Sequence, residues 1–249
     1  MFVSDMGSIK PRYQEMLRKH HIAFEEGKHT EELILNADEV VKSPGIPDTA
    51  PMVARLIEKG TPILSEIEFA ARYTDARMIA ITGSNGKTTT TSLIYHILKK
   101  ASADVGLAGN IGHSLALQVA ETPHSTYVIE LSSFQLDNMY RFRADIAVLL
   151  NITPDHLDRY NFEMQNYVNS KMRILQNQGP TDSFIYWMED NYVPQALNER
   201  ETAVKRCGFT DEPSEGAVAW AQNGELVINS PVPFSMPLSQ LSLPGKHNL

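Results

Sequence analysis

The chain has 249 residues, of which 42% are hydrophobic and 21% are charged, and its formal net charge at pH 7 is −8. This composition is typical of a globular protein with one large or two ordinary domains. The negative charge argues against a general nucleic-acid or membrane-surface binder, and no apolar run approaches the roughly 20 residues of a membrane span. The single cysteine, Cys207, excludes an internal disulfide and suits a cytoplasmic location. We also expect a monomer.

Residues 1–75 predict an incomplete Rossmann-like domain in which short strands and helices alternate. "FVSD" predicts a strand, "PRYQEMLRKH" a helix with proline in its first turn, and "PMVARLIEKG" a helix that ends at Gly60. Because the chain starts almost directly on a strand, we expect that a preceding βα unit is missing.

Residues 76–249 predict a doubly wound parallel sheet. "RMIAIT", "SADVGLAGNIG", "STYVIELSS" and "ADIAVLLNITPDH" each contain an apolar strand, and helices are predicted between them. "MQNYVNSKMRILQNQG" predicts a helix that ends at Gly179, and the patterns after "FIYWMEDN" are shorter and weaker. Ligands of such sheets bind at the carboxyl ends of the strands, which is where the unusual polar residues occur.

The segment "GSNGKTT" follows the first of these strands and opens a helix. Its spacing is shorter than that of the general phosphate-loop pattern, since Ile81 stands where the first glycine would be. The chemistry is retained: glycines let backbone N–H groups surround a phosphate, Lys87 can reach the outer phosphates, and the Thr88 hydroxyl can bind Mg²⁺. The alternative is a Gly-Asn turn before a threonine-capped helix.

Further candidates follow two other strands. Glu130 ends the strand in "TYVIELSSF", where it is either a metal ligand or an ordinary surface glutamate. His156 lies between Asp155 and Asp158 after a buried strand, and we favour a ligand or substrate contact over a structural role. Lys171, in "YVNSKMRIL", would by itself be interpreted as a solvated helix lysine.

Five motifs occur in order along the chain: "GSNGKTT" (83–89), "GNIG" (109–112), "ELSSFQL" (130–136), "NITPDHLDRY" (151–160) and "LPGKHN" (243–248). With them the chain resembles the Mur ligase family, ATP-dependent amide-forming enzymes of peptidoglycan synthesis. "ELSSFQL", together with "SPGI" (43–46), is most similar to the D-glutamate-adding branch.

The resemblance implies three domains. These are a UDP-substrate-binding domain at 1–75, incomplete at its start, a central ATP-binding P-loop domain at 76–249, and a C-terminal amino-acid-binding domain, which we expect to be absent. The chain by itself is therefore expected to be inactive.

The resemblance also implies a role for each matching residue. The catalytic residues are Lys87, Glu130, His156 and Lys171. The nucleotide-binding residues are Gly83, Ser84, Asn85, Gly86, Lys87, Thr88, Thr89 and Asn248. The ligands of two Mg²⁺ ions are Thr88, Glu130, His156 and Lys171. The residues that contact the UDP-linked substrate are Asp5, Ser43, Gly45, Asn110, Ser133 and His156.

Lys171 matches the lysine that the family carbamylates with CO₂. A carbamate is an anionic oxygen ligand for Mg²⁺, whereas a cationic amine would be repelled. The implied reaction joins D-glutamate to UDP-N-acetylmuramoyl-L-alanine at the expense of ATP, through an acyl phosphate.

Other interpretations remain open. The chain could belong to another Mur-type or folylpolyglutamate-type amide ligase, from which "LSSFQL" distinguishes it. It could instead be a nucleotide- or UDP-sugar-binding module without catalysis, or a P-loop fold with a purely structural role. Separate measurements of Mg-ATP binding and hydrolysis would distinguish a binding module from an enzyme.

Overall fold

The computed structural model describes residues 1–241, which fold into two compact units. The smaller unit is Met1–Ser65 and the larger begins at Glu66. The boundary predicted from the sequence lies ten residues later, between 75 and 76, and would assign the short helix at Glu66–Ala70 to the smaller unit.

The smaller unit alternates strands and helices. Its elements are β1 (Phe2–Asp5), α1 (Pro11–Lys19), β2 (Ala23–Glu26), α2 (Glu31–Leu35), β3 (Val40–Val41), α3 (Pro51–Lys59) and β4 (Ile63–Leu64). β1 pairs with β2 and β3 pairs with β4, both in parallel. α3 ends as predicted at Gly60, whose φ of 76° favours glycine. β2 and α2 were not predicted.

The larger unit contains fifteen labelled elements within the described residues. They are α4 (Glu66–Ala70), β5 (Arg77–Thr82), α5 (Lys87–Lys100), β6 (Val105–Gly109), α6 (Leu115–Glu121), β7 (Thr126–Glu130), α7 (Ser133–Asp137), β8 (Ile146–Leu149), α8 (Met164–Met172), β9 (Ser183–Trp187), α9 (Val193–Asn198), β10 (Lys205–Phe209), β11 (Ala217–Gln222), β12 (Glu225–Ile228) and β13 (Phe234–Pro237).

These strands form one sheet in the order β13-β12-β11-β10-β9-β8-β5-β7-β6. Every neighbouring pair from β6 to β11 is parallel, while β12 and β13 join by antiparallel pairing. The predicted α/β fold with a parallel sheet is therefore confirmed, and the antiparallel extension is new. β5 lies between β7 and β8, so the chain leaves β5 at a point where the strand order reverses.

Strands β5, β7 and β8 supply the centre of the core because they are covered on both faces. Ile81, Tyr127, Val128 and Leu149 are 5% exposed or less, in two hydrophobic clusters. No helix within residues 1–241 has the length and apolarity required to cross a bilayer.

The prediction that the helix after the "NITPDHLDRY" motif continues to Gly179 is wrong. α8 ends at Met172, and one 3-10 turn follows at Arg173–Leu175. The side chains of Arg173, Gln176 and Asn177 donate hydrogen bonds to backbone carbonyls of residues 136–142. Tertiary hydrogen bonds thus replace the last helical turns.

Candidate active site

The phosphate loop, residues 83–88, connects β5 to α5. Gly83 and Gly86 have φ angles of 153° and 81°, which L side chains rarely adopt. A Cβ atom on Gly83 would lie 3.1 Å from the Cβ of Leu150. α5 begins after Gly86 without a side-chain cap, so the N–H groups of its first turn suit an anionic ligand. Thr88 and Thr89 lie exposed in that turn.

Two lysines converge on one carbonyl oxygen of this loop. The Nζ of Lys87 donates to Gly83 O at 2.8 Å and to Ser84 O at 3.0 Å. The Nζ of Lys171, from α8, donates to the same Gly83 O at 2.9 Å. The structure therefore brings together two predicted catalytic residues that are far apart in the sequence.

Lys171 is not the solvated helix lysine that its sequence context suggested. It is 2% exposed, and its ammonium lies 4.7 Å from the centre of the Tyr167 ring. Burial, and then the charge of Lys87, lower the pKa of Lys171 to about 7, against opposing contributions from Asp155 and Asp137. A large share of this amine is therefore uncharged at neutral pH.

The 151–153 segment, which follows β8, holds the phosphate loop from one side. The Oγ of Ser84 donates to Thr153 O at 2.8 Å and accepts from Thr153 N at 2.9 Å. The same hydroxyl lies 3.1 Å from the Tyr167 hydroxyl. Asn151 makes three further contacts with the loop. Neither Asn151 nor Thr153 was predicted as a site residue from the sequence, although both follow a buried strand at the edge of the sheet where ligands are expected.

Glu130 is a buried residue at the end of β7, not the exposed glutamate that the sequence left open. It is 1% exposed and pairs with Ile81 and Gly109 of the neighbouring strands. Its Oε1 accepts from Asn110 Nδ2 at 2.8 Å, whereas no group within residues 1–241 hydrogen-bonds its buried Oε2. A buried carboxylate oxygen of this kind is costly unless a cation or donor binds it.

Close packing of the backbone accompanies this carboxylate. Asn110 N donates to Glu130 O at 2.9 Å. A Cβ atom on Gly109 would lie 2.2 Å from that same oxygen, and the φ of Gly109 is 98°. Only glycine therefore fits at position 109, and the "GN" of the "GNIG" motif is explained by its contact with Glu130.

His156 is exposed at the start of a 3-10 turn, and its φ of 49° is in the left-handed region. Its Nε2 lies 3.6 Å from the Asp155 carboxylate, and its ring centre is 5.3 Å from that of Phe134. The guanidinium of Arg159 also lies over the Phe134 ring, 4.4 Å from its centre. The imidazole is thus held beside an aromatic ring while it stays accessible.

Ser133, a predicted substrate contact, is the first residue of α7 and is 3% exposed. Its carbonyl accepts from the Ser170 hydroxyl at 3.2 Å, which connects α7 to α8 next to Lys171. The preceding Ser132 caps α7 in a reciprocal capping box with Gln135. The contact of Ser133 with substrate stays a prediction.

The residues predicted as Mg²⁺ ligands suit a hard cation in their donor types. Within the described part of the chain no three His, Cys, Asp or Glu residues form a metal-binding group. The predicted set contains only two residues of those types, Glu130 and His156. The others would contribute oxygen, from the Thr88 hydroxyl and a carbamate on Lys171. The partnerless Oε2 of Glu130 fits such an ion.

Three predicted substrate contacts lie in the smaller unit. Asp5 ends β1, and its Oδ1 accepts from Gly7 N at 2.7 Å. Ser43 and Gly45 are exposed in the loop after β3. The buried Lys42 donates to Ile46 O at 2.8 Å and to Asp48 Oδ1 at 2.7 Å within that loop. Asn248, which was predicted to bind the nucleotide, lies outside the described residues.

A cavity of about 410 Å³ lies elsewhere in the larger unit, between α5, β6 and α6. Its lining includes Tyr95, Lys99, His113 and His124, and it contains none of the predicted site residues. The residues of the phosphate loop do not line this cavity, so it does not mark the candidate site.

Comparison with known proteins identifies the family. The Mur ligase middle domain matches residues 81–249 and the MurD N-terminal domain matches residues 1–52. The chain belongs to the Mur ligase family. The family and the fold that the sequence motifs implied are therefore confirmed.

Curated relatives match the Mur ligase chain over its whole length. It is 63% identical over 248 residues to a UDP-N-acetylmuramoylalanine--D-glutamate ligase of Bacteroides fragilis, covering 100% of this chain and 56% of the relative. It is 55% identical over 251 residues to the equally named protein of Porphyromonas gingivalis, with the same coverage. The chain thus spans about half the length of these relatives.

Solved structures of other Mur ligases share the fold. A UDP-N-acetylmuramate:L-alanyl-gamma-D-glutamyl-meso-diaminopimelate ligase from Neisseria meningitides superposes with a TM-score of 0.64 and 17% identity, covering 99% of this chain and 81% of that one. A MurF ligase from Thermotoga maritima in complex with ADP gives a TM-score of 0.53 and 17% identity, covering 94% and 54%. At these identities the comparison supports the fold alone.

Proposed function

We propose that this chain forms the ATP-binding and UDP-substrate-binding part of a ligase that joins D-glutamate to UDP-N-acetylmuramoyl-L-alanine. The observation that carries the proposal is the convergence of Lys87 and Lys171 on the Gly83 carbonyl, inside a phosphate loop. The substrate assignment is supported by relatives that are named for this reaction and match the entire chain.

In the first proposed step, a terminal carboxylate oxygen of the UDP-linked substrate attacks the γ-phosphorus of ATP. The bond from that phosphorus to the β,γ-bridging oxygen breaks, which gives an acyl phosphate and ADP. Both reactants are anions, so the positive charge of Lys87 and the N–H groups at the start of α5 oppose their repulsion. Positioning alone can lower such a barrier by roughly 7–11 kcal/mol.

In the second step, the amine nitrogen of D-glutamate attacks the acyl carbon. The bond to the phosphate oxygen breaks, inorganic phosphate leaves and the amine loses a proton. Phosphorylation is needed because a free carboxylate has a poor leaving group. Asn110 and Ser133 are proposed to contact the muramoyl-alanyl part during both steps, and His156 is proposed to contact the substrate as well. Asp5, Ser43 and Gly45 are proposed to bind the uridine diphosphate.

Two Mg²⁺ ions are proposed. Thr88 and Glu130 would hold the first, and Glu130, His156 and a carbamate on Lys171 would hold the second. Bound there, they would supply positive charge for the phosphate oxygens of the nucleotide. Formation of the carbamate requires the uncharged Lys171 amine to bond to the carbon of CO₂ and release a proton. Its low pKa, caused mainly by burial, supports this modification.

The proposal is tested by phosphate release from ATP in the protein encoded by the complete gene. We expect release only when UDP-N-acetylmuramoyl-L-alanine and D-glutamate are both present. The variant Lys87→Ala should lose turnover by about 100-fold or more, whereas Lys100→Ala, at the far end of the same helix, should keep it.

Three outcomes would contradict this assignment in different ways. Unchanged turnover of Lys87→Ala would remove the catalytic role of the phosphate loop. Turnover with meso-diaminopimelate, L-lysine or L-alanine instead of D-glutamate would place the protein in another branch. ATP binding without phosphate release under any of these conditions would indicate a nucleotide-binding module.

A cytoplasmic location and a monomeric state also stay predictions.

A further inference from the structure

We propose that Asn151 is a positioning residue that sets the shape of the phosphate loop; this inference rests on the proposed nucleotide-binding role of that loop. Its side-chain amide forms hydrogen bonds with both the backbone N–H and the backbone C=O of Asn85. Oδ1 accepts from Asn85 N at 2.9 Å, and Nδ2 donates to Asn85 O at 3.2 Å. Its main-chain oxygen accepts from Ser84 N at 2.9 Å. One residue therefore fixes three consecutive peptide groups of the loop.

The first of these peptide groups carries the oxygen that both lysines contact. In a trans peptide the N–H and C=O bonds point in opposite directions. Because the Ser84 N–H points to Asn151, the Gly83 carbonyl points away from it. Lys87 and Lys171 bind that carbonyl at 2.8 Å and 2.9 Å. Asn151 thus orients the acceptor on which the two proposed catalytic lysines converge.

Asn151 is itself held from two sides. Before it, Leu150 N donates to Thr82 O at 3.1 Å, which extends the pairing of β8 with β5. After it, Ile152 N donates at 2.8 Å to the carboxylate of Asp190, which is 7% exposed. The same carboxylate accepts from two N–H groups at the start of α9. The position of Asn151 is therefore set by the sheet and by a buried anion.

The contacts require an amide at this position. A carboxylate could still accept from Asn85 N, but it could not donate to Asn85 O, and it would add a negative charge beside a proposed phosphate site. Asn151→Asp keeps the size of the side chain, so it tests the amide hydrogen bonds and not the space that the side chain fills. Asn151→Ala removes both side-chain hydrogen bonds and adds no charge, while the main-chain contact with Ser84 stays possible, so it tests positioning without the charge that Asn151→Asp introduces.

The test is a calorimetric titration of the 249-residue chain with Mg-ADP and, separately, with AMP. We expect the chain to bind ADP more tightly than AMP, since the loop contacts the outer phosphate. Asn151→Asp should weaken ADP binding by about tenfold or more and AMP binding much less, so that the preference for ADP falls. Asn151→Ala, which adds no charge, should lower the preference for ADP in the same direction. Asn198→Asp, the same change at an exposed position on α9, should have no effect.

The ratio of the two affinities distinguishes positioning from loss of fold, because partial unfolding would weaken both nucleotides equally. An unchanged ratio in Asn151→Ala would overturn the inference and leave the nucleotide site intact, because a change confined to Asn151→Asp would follow from its added charge alone. If the unaltered chain bound neither nucleotide, or bound both equally, the proposed role of the loop would fail and the inference with it. Thermal unfolding of each variant, measured in parallel, fixes a titration temperature at which the chain is folded.

Discussion

Lys171 is 2% exposed, and its titratable amine lies close to a second lysine, Lys87. Burial disfavours its charged form, so its pKa falls from the ordinary 10.5 to about 7. Between these two values the unfolded chain binds a proton at this position that the folded chain does not. The free energy of unfolding therefore rises with pH across this window, and below it this group contributes no pH dependence.

We predict that this contribution disappears in Lys171→Met. Unfolding by urea, measured in CO₂-free buffer from pH 6.5 to 9.5, should give a stability that rises with pH more steeply in the unaltered chain than in the variant. The drop in pKa sets an upper limit of about 5 kcal/mol for the full window. Equal slopes in the two proteins would show that the amine is not buried in solution. Lys100→Met, at an exposed position, is the control.

Glu68 shows how one buried carboxylate holds an element in place. It is 1% exposed in α4, and it accepts hydrogen bonds of 2.9–3.2 Å from the backbone N–H groups of Tyr140, Arg141 and Phe142. The segment that links α7 to β8 is thereby fixed to α4, the first helix of the larger unit. The sequence gives no sign of this contact, because the partners are 72–74 residues apart.

We predict that Glu68→Gln lowers the free energy of unfolding by about 1–3 kcal/mol, because the three N–H groups then share one neutral amide oxygen and the amide NH₂ faces the N–H group of Arg141. Chemical denaturation of the two proteins measures the difference. Glu121→Gln, an exposed change of the same kind, should lie within about 0.5 kcal/mol of the unaltered chain. A Glu68 variant as stable as this control would mean that water or another group satisfies the three N–H groups.

Helix ends show where local sequence and tertiary structure disagree. Gly60 ends α3 as predicted, because a left-handed residue terminates a helix whatever surrounds it. α8 stops well before Gly179, because Arg173, Gln176 and Asn177 donate to carbonyls of residues 136–142 instead of extending the helix. The local sequence pattern therefore predicted the end of α3 correctly and the end of α8 wrongly.

At the scale of the whole molecule, nucleotide binding should be visible as stability. We predict that Mg-ADP at 100 times its dissociation constant stabilises the larger unit by about 2.7 kcal/mol, because it binds only the folded form. The measurement is thermal unfolding of the 249-residue chain with and without Mg-ADP. Removal of Mg²⁺ with EDTA should reduce the shift, and Lys87→Ala should abolish it. A shift that EDTA leaves unchanged would argue against Mg²⁺ ligands at Thr88 and Glu130.

The sequence by itself determined the strands and helices around the phosphate loop, the parallel sheet and the family. These features rest on local information: apolar runs, glycines at turns and a lysine at a fixed distance from them. It also predicted Lys87, Glu130 and Lys171 as site residues, although for the last two the family resemblance, and not the residue context, made the difference.

Only the tertiary structure decided where those residues lie and what they contact. It showed that Glu130 and Lys171 are buried, that two lysines share the Gly83 carbonyl, and that Asn151 holds the loop. Burial and hydrogen bonds between distant segments depend on how the strands are ordered in the sheet, and no single stretch of the chain specifies that β5 lies between β7 and β8. The same reason explains why the β11–β13 extension escaped prediction: its short strands gain their stability from the sheet that they join.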